Sequence, residues 1–411
     1  MSIPNHPFQT SKNSGSISTC EAAVEYFSVD CSDLDVTARV SRFSSAEGAT
    51  EYHVSVCLTD GGGDAVSRLA LAYQHVLDSM GISASSSIFR RVFCSDVVNQ
   101  SDIANHPLLG SLAGRGCAVS LVGQSPLPAA KFALWAYHFS DGGVSPEKSI
   151  EGNTLLCRRG PLTHCWTVGM TGCSVTESNG QTLRILEDYD AWLHSQSMNM
   201  ADHVVRTWWF LQNIDADYHG LVEARRDFFH THGLNADTHY IASTGIAGTH
   251  TEVKAKVALD SYAIRGLHAD QLVYISAPGH LCPTYEYGVT FERATVVDFS
   301  DRRHVYISGT ASIDHTGRIL HEGDVIRQLG RTLENIESLL ENANADLADL
   351  AVILVYLRDP ADGAVVDTAL RERLGLVPYV LVHAPVCRPG WLIEIEGIAL
   401  IPAFLPHFPG F

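Results

Sequence analysis

Apolar positions along this chain alternate between strand-like and helix-like periods, and the same succession is written more than once. From Val305 the chain reads VYISGTAS and then passes through a polar turn into a helical stretch. There Leu329, Leu333, Ile336 and Leu340 stand at i, i+4, i+7 and i+11, which puts them on one helical face. A β-rich run follows (AVILVYLRD, Ala351 to Asp359), then a second helix around Val365 to Leu374. Tyr379 to His383 and Trp391 to Leu400 read as two closing strands. The middle of the chain repeats the order. Strand Cys165 to Gly172 precedes a helix carrying Leu186, Tyr189 and Leu193, then VVRTWWFL (Val204 to Leu211) and a helix from Gly220 to His230. His239 to Thr244 and Val257 to Ile264 complete it. A fainter copy opens the chain. Tyr52 to Leu58 leads into a helix with Val66, Leu69, Tyr73, Val76 and Met80 on one face, followed by strands Ile88 to Cys94, Cys117 to Gly123 and Lys131 to Phe139. Its second helix is poorly marked.

Each copy therefore predicts β, α, β, α, β, β, a domain-sized unit. That order resembles the Rid unit, whose simple members form homotrimers with active sites in the clefts between subunits. The expected fold is α+β: tandem Rid-like (chorismate-mutase-like) units forming a pseudo-trimer, sheets packed inside and helices outside. The expected boundaries are a disordered lead-in over 1–24, a degenerate unit over 25–148, a second unit over 149–270 and a C-terminal catalytic unit over 271–411. The plainer alternative is two α+β domains that share only a common supersecondary pattern and need self-association to bury their remaining faces. A monomeric pseudo-trimer and a homo-oligomer both stay open.

Composition narrows the function classes. The chain has 411 residues, 45% hydrophobic and 18% charged, which is ordinary globular usage. Its longest apolar stretches are strand-sized, so no membrane span is expected. The formal charge of −18 disfavours nucleic acid and anionic membranes as partners. A small anionic substrate remains open, but it requires a local group of arginines. Met1 to Ser18 is polar and lacks the apolar segment of a signal peptide. With ten cysteines and no CxxC pair, free thiols in a reducing cytoplasm are the expectation. There is no HExxH, and His230-Thr231-His232 reads as surface, so no metal or organic cofactor is expected. Gly61-Gly62-Gly63 lacks the GxGxxG or GKS of a phosphate cradle, and no GxSxG occurs. Trp208 and Trp209 read as core, one ring on each strand face.

The chemistry concentrates near the end. Between Trp391 and Leu400 the residues alternate as in a strand, which puts Glu394 and Glu396 on one face with Leu392, Ile393, Ile395 and Ile398 around them. Like charge and partial burial both raise a carboxyl pKa, which favours a protonated acid near neutral pH. The competing reading is a solvent-facing pair, or one bridged to arginine across a domain interface.

Motif order decides between them. Tyr287-Gly288, Phe291, Arg293-Ala294, Ser308 to Ile313, His321, Gly323-Asp324, Gln328, Val355 to Asp362, Cys387-Arg388-Pro389, Glu394 and Glu396-Gly397 occur in that order. Together they resemble the chorismatase family over roughly residues 200 to 400. The resemblance implies cleavage of the enolpyruvyl ether of chorismate, with Glu394 delivering the proton. It implies that Cys387, seven residues before Glu394, marks the branch forming 3-hydroxybenzoate, where alanine marks release of a dihydroxycyclohexadiene carboxylate. In simple Rid imine deaminases an arginine stands two residues before this proline and grips the substrate carboxylate; here that place is Cys387. A buried packing cysteine is the plain alternative. Arg206, Thr244, Gly245, Tyr287, Arg293 and Arg358 are the expected substrate contacts, Arg206 reaching in from the neighbouring unit. Two other readings stay open: a Rid-fold enzyme of secondary metabolism acting on another enol- or imine-containing carboxylate, and a non-catalytic small-molecule binder.

Overall fold

A computed structural model describes residues 24–110 and 116–411. The expected lead-in over 1–24 lies outside these residues apart from Val24, which is buried. The fold is α+β, with three sheets.

The first sheet contains β1 (Glu25–Cys31), β2 (Val36–Ser44), β3 (Ala49–Leu58), β4 (Ser87–Cys94) and β5 (Ala118–Gly123). The two-residue β6 (Ser125–Pro126) leaves for the third sheet, and β7 (Phe132–Asp141) returns to give the order β1-β2-β3-β7-β4-β5. The second sheet contains β8 (Glu147–Glu151), β9 (Thr154–Arg159), β10 (Leu162–Thr171), β11 (Val204–Leu211), β12 (Ala242–Ala247) and β13 (Val257–Arg265), ordered β12-β11-β13-β10-β9-β8. The third runs β14 (Leu272–Ile275), β15 (Ala294–Asp298), β16 (Arg302–Ala311), β17 (Leu350–Leu357), β18 (Tyr379–His383) and β19 (Ile393–Pro402), ordered β14-β15-β16-β19-β17-β18-β6.

One kernel recurs in all three. The last strand (β7, β13, β19) lies antiparallel between the first helix-leading strand and the middle strand, and the middle strand pairs in parallel with the next strand out (β5, β12, β18). Parallel neighbours need a crossover, and helices supply it in the second and third units. These are α4 (Ile214–Thr231) and α6 (Gly363–Leu374); the earlier helices are α1 (Ala65–Met80), α2 (Ser178–Ser195), the short α3 (Met200–His203) and α5 (Val325–Asn342). The first unit departs from the expected order: between β4 and β5 the described residues hold only a 3-10 turn, Ser101–Asn105. Each sheet also carries two antiparallel strands ahead of its kernel (β1 and β2, β8 and β9, β14 and β15) that the sequence reading did not mark.

Helix faces match their apolar stripes. On α5, Leu329, Leu333, Ile336 and Leu340 are all buried, and Asp324 caps the helix by accepting from the Arg327 N–H. Sheets pack inside. One apolar core joins all three through Phe89, Trp135, Trp166, Trp208, Tyr262 and Tyr306, while separate cores lie between the first two sheets and their helices. Trp208 sits in the shared core and Trp209 in the sheet–helix core, one ring on each face. Among the described residues no helix is long and apolar enough to cross a membrane.

Three short pairings close the sheets into a ring. Thr249, after β12, bridges Gly123 at the end of β5; Val386, after β18, bridges Ile246 in β12; β6, after β5, pairs with β18. A buried ion cluster holds the first and third sheets together. Glu51 of β3 accepts from Arg302 at 2.5 Å and from the Tyr137 hydroxyl at 2.7 Å, and lies 3.0 Å from His304 Nε2. Burial by itself would raise the Glu51 carboxyl, but His304 and Arg302 hold it well below the usual carboxylate range.

Replacing Glu51 by Gln leaves Arg302 with Asp301 as its remaining carboxylate and is expected to cost about 3 kcal/mol. Arg42→Ala, which breaks a half-exposed pair with Glu25, is expected to cost under ~1 kcal/mol. Urea unfolding midpoints of the two variants check the contrast.

Candidate active site

Strand β19 delivers both carboxylates into the cleft between the second and third sheets. Its residues Ile393 to Leu400 are all buried, so Glu394 and Glu396, two apart on one face, are buried too, at 5% and 3% exposure. Their surroundings differ.

Glu396 is satisfied from several elements. Arg206 donates at 2.5 Å, the Trp208 indole at 2.9 Å and the Tyr356 hydroxyl at 2.9 Å, and the Thr244 hydroxyl donates as well. Its oxygens are thus matched by donors from three strands of two sheets. Glu394 faces the opposite balance. Burial first, then the Glu396 charge, push its carboxyl up to about 8, against the pull of Arg206 and Arg293. It is an acid that keeps its proton at neutral pH.

The backbone makes room for it. Pairing between β16 and β19 is broken by an irregularity after Ile307 that resumes at Thr310. Gly309 lies in this bulge, and a Cβ there would overlap the Glu394 carboxyl. The Gly309 N–H donates to Thr244 Oγ1 at 3.0 Å, which fixes the bulge to β12 of the second sheet.

A pocket opens beside Glu394, walled by Tyr218 and Arg225 of α4, Arg293, and the loop residues Cys387, Arg388 and Trp391. Gln328 clamps that loop: its amide donates to the Gly390 carbonyl at 2.8 Å and its oxygen accepts from the Leu392 N–H at 2.8 Å. The Trp391 indole donates to the Ser312 carbonyl at 3.1 Å. Burial pushes the Cys387 thiol up to about 12, with Glu394 adding to the rise, while the Tyr218 side chain hydrogen-bonds to it and opposes it. Cys387 is therefore a neutral thiol, and thiolate chemistry at neutral pH is not available to it.

Three arginines reach the pocket wall, so a local cationic group exists in a chain of charge −18. Its membership differs from the sequence expectation. Arg293 is at the wall, donating to the Cys282 carbonyl at 2.9 Å. Arg206 is not: its guanidinium is sealed at 1% exposure on Glu396 and Thr244, because a buried carboxylate lies nearer than the pocket. Arg358 is placed elsewhere as well. It forks onto Asp215 in the first turn of α4, at 3.1 and 2.6 Å, and donates to the Val386 carbonyl at 2.9 Å, so it steadies the loop from behind.

Thr244 and Gly245 line the pocket from strand β12. The Thr244 hydroxyl is committed to Glu396. Gly245 lets the Tyr218 ring approach, since a Cβ would stand 3.1 Å from it. The Tyr287 side chain lies outside the described residues; its backbone ends the 3-10 turn Thr284–Tyr287.

Arg225 and Arg388 were not foreseen as wall residues. Arg225 has a legible signal: it falls between Leu221 and Phe228 on the buried stripe of α4, where an arginine needs a polar destination. Its Nε donates to Thr290 at 3.2 Å and its terminal nitrogen to Ser243 at 3.3 Å. Arg388 stacks over Trp391, with 4.8 Å from its guanidinium carbon to the ring centroid. Among the described residues no group of three or more His, Cys, Asp or Glu is arranged to hold a metal ion.

Register comparison shows how the three sheets differ. Glu394 pairs with Tyr356, and the corresponding pairs are Ala258 with Phe210 and Ala133 with Phe93. Glu396 pairs with Leu354, and the corresponding residues are Asp260 and Trp135. The second sheet keeps the bulge, at Gly169, but the first pairs without a break from Ala49 to Cys57. Glu394 has no carboxylate counterpart in the other two sheets.

Comparison with known proteins adds to this picture. Residues 294–401 match the family described as endoribonuclease L-PSP. A RutC family protein of Pyrococcus abyssi is 37% identical over 98 residues, 23% of this chain and 76% of that protein. The chain belongs to the Rid superfamily. A second relative shares more of the chain. The 3-hydroxybenzoate synthase of Streptomyces hygroscopicus is 28% identical over 226 residues, 48% of this chain. That stretch spans 63% of the synthase, less than two thirds of its length. The crystal structure of a chorismatase superposes with a TM-score of 0.59 at 20% identity, covering 77% of this chain and 93% of that chain. This Rid chain thus shares its fold with a chorismatase.

Two outcomes follow from the geometry. Gly309→Ala is expected to displace Glu394 and remove its titration near pH 8, while the fold, read by circular dichroism, persists. The second concerns stability. In the unfolded chain this glutamate ionises near its ordinary value of 4.5, and in the fold near 8. The folded state therefore holds an extra proton between those values, and stability falls as pH rises through that window. Glu394→Gln removes the penalty, on the order of 5 kcal/mol. The variant is expected to unfold at higher denaturant than the parent at pH 9, with the gap narrowing toward pH 5.

Proposed function

We propose that the protein cleaves the enolpyruvyl ether of chorismate to pyruvate and 3-hydroxybenzoate. The carrying observation is Glu394, a buried carboxyl that keeps its proton at neutral pH on the wall of a pocket bearing three arginines. A vinyl ether is cleaved by protonating its terminal carbon, which needs an acid strong enough to give the proton up yet still protonated at working pH. A carboxyl with a pKa near 8 in a closed cleft meets both demands. The synthase and chorismatase likenesses support the same chemistry.

In this reading Arg225, Arg293 and Arg388 receive the two carboxylates of the substrate, whose planar ends suit guanidinium forks. Glu394 transfers its proton to the enolpyruvyl methylene, which becomes the methyl group of pyruvate. The ether carbon becomes an oxocarbenium ion, opposite a cluster whose charges are already balanced. An internal hydroxyl, or water, attacks that carbon, and the proton it loses returns to the Glu394 carboxylate. After attack by water, collapse of the adduct breaks the old ether C–O bond and releases pyruvate and a dihydroxycyclohexadiene carboxylate. After attack by the ring hydroxyl, both the old ether bond and the bond from that hydroxyl oxygen to the ring break. The oxygen leaves as the carbonyl of pyruvate, and a ring proton passes to the freed ether oxygen as the ring becomes 3-hydroxybenzoate.

Cys387 adjoins both the pocket and Glu394. As a neutral thiol in the cleft it occupies volume that a water would take and favours the internal route over hydrolysis. It also stands where simple Rid deaminases carry their carboxylate-gripping arginine, which argues against imine deamination here.

Incubating the protein with chorismate and following pyruvate with a coupled dehydrogenase tests the proposal. Release is expected at pH 6 to 7 and is expected to fall as pH rises through about 8, because deprotonated Glu394 has no proton to give. Glu394→Gln is expected to lower the rate by roughly 10²–10⁴-fold. Undiminished pyruvate release by that variant would falsify the mechanism. Cys387→Ala is expected to keep pyruvate release but move the aromatic product toward a dihydroxycyclohexadiene carboxylate, read by chromatography; an unchanged product ratio sinks the steering role.

A further inference from the structure

Glu396 is approached from a third direction, by a residue of the sheet that forms no wall of the Glu394 pocket. Arg91 of β4 is fully buried, at 0% exposure. One terminal nitrogen donates to Asp260 at 2.8 Å, and the other lies 3.9 Å from Glu396 Oε1. Its Nε and that second terminal nitrogen have no hydrogen-bond partner. Phe89, Trp135, Trp208 and Phe210 surround the guanidinium, with 4.9–5.6 Å from its central carbon to the ring centroids. Asp260 in turn accepts from the Gly169 N–H at 2.9 Å. A buried cation with part of its donor set unmatched is a poor device for stability, and an apolar side chain of similar volume would pack there at no such cost.

We propose that Arg91 is a positioning residue for Glu394, acting through Glu396 to set the charge of the cluster that Glu394 faces. The charges are two cations, Arg91 and Arg206, and two anions, Asp260 and Glu396. With Glu394 protonated these four charges cancel; ionising Glu394 adds a negative charge that only the pocket-wall arginines, Arg293 foremost, oppose. The first unit thereby takes part in a site built from the other two. The catalytic importance of this proton rests on the chorismate reading, whereas the coupling itself does not.

Other groups facing Glu394 are accounted for. On its own sheet, β17 brings Tyr356, whose proton is held far more tightly than usual by burial and by Glu396; β16 brings Gly309 and Ala311, which carry no charge. From β11 and β12 come Arg206 and the neutral Thr244. Arg293, Arg388 and Cys387 reach in ahead of β15 and from the loop before β19, and Tyr218 and Arg225 from α4. None of these is altered by changing Arg91 or Asp260.

The signs are opposite for the two partners. Removing the Arg91 charge leaves Asp260 and Glu396 in excess, so ionised Glu394 is disfavoured and its titration moves up. Removing the Asp260 charge leaves Arg91 in excess, so the titration moves down. Infrared difference spectra of the carboxyl stretch against pH, with Glu394→Gln as the blank, read this without any substrate. Arg91→Met is expected to raise the midpoint by roughly half a unit or more, Asp260→Asn to lower it by a similar amount, and Arg91→Lys to leave it in place. The alkaline limb of pyruvate release is expected to move with the midpoint in each variant. Midpoints that stay put, or move the same way in both charge-removing variants, overturn the proposal. If Arg91→Met does not fold, Asp260→Asn decides alone: a downward shift sustains the coupling and its absence ends it. Shifted infrared midpoints in a protein that leaves chorismate intact would keep the coupling and discard the reaction.

Discussion

The cleft is organised by the need to pair one buried carboxylate. Glu396 is desolvated on a strand that is otherwise apolar apart from Glu394, and an uncompensated charge there would cost several kcal/mol. Its donors come from β11, β12 and β17, with Arg91 of β4 behind them. Satisfying it requires the second and third sheets to meet at one register and brings the first sheet within 4 Å. The pairing does more than hold the sheets together. Because Glu396 is fixed by its donors, the carboxyl two residues earlier is held beside a second carboxylate at a largely buried position. Burial does most to keep the proton on Glu394, and the group that pins the sheets adds to it.

The sequence shows this arrangement unevenly, for physical reasons. Strands buried on both faces read as continuous apolar runs, and β11, found at Val204 to Leu211, and β18, found at Tyr379 to His383, lie where the pattern puts them. Helix α5 is equally legible through its leucine stripe. Strands at the outer side of each sheet are not. The β8 sequence EKSIE is polar and exposed, so it offers no apolar alternation to detect. Helix α4 begins six residues before the expected Gly220, at Ile214, because its first turn is acidic, with Asp215 and Asp217, and gives little apolar signal. Acidic residues there suit the positive end of the helix dipole and mark a helix start.

For the site, the legible part is local and the hidden part is long-range. Two glutamates alternating with isoleucines announce a shared face and a perturbed pair. Which of them is paired and which is the acid depends on Arg206, 190 positions away, and on Trp208, 188 away. The fate of Arg358 turns on Asp215, 143 positions distant. An arginine beside a motif cannot be assigned to a ligand by spacing when a carboxylate of the same protein stands closer. Arg225 is the counterexample, since its place on a buried helical stripe makes a polar destination obligatory.

Linking the units in one chain also changes what each cleft has to be. When identical subunits form a ring, a residue at one cleft is necessarily present at all three. In a single chain the register-equivalent positions vary independently, and here they hold Glu394, Ala258 and Ala133. A carboxyl whose ionisation is opposed this strongly works against stability at alkaline pH, so carrying it once is cheaper than carrying it three times. The freed clefts take other contacts. Where the third sheet meets the first, Arg39 lies over the Tyr379 ring at 4.4 Å and the Cys57 thiol reaches the Tyr379 carbonyl at 3.8 Å. Where the first meets the second, Asp260 keeps the position of Glu396 but takes Arg91 as its partner. Arg91 holds in its own sheet the register position that Trp208 holds in the second and Leu354 in the third. A cation admitted at only one of three equivalent positions can bias a neighbouring cleft without rebuilding its walls, which a symmetric trimer has no means to do.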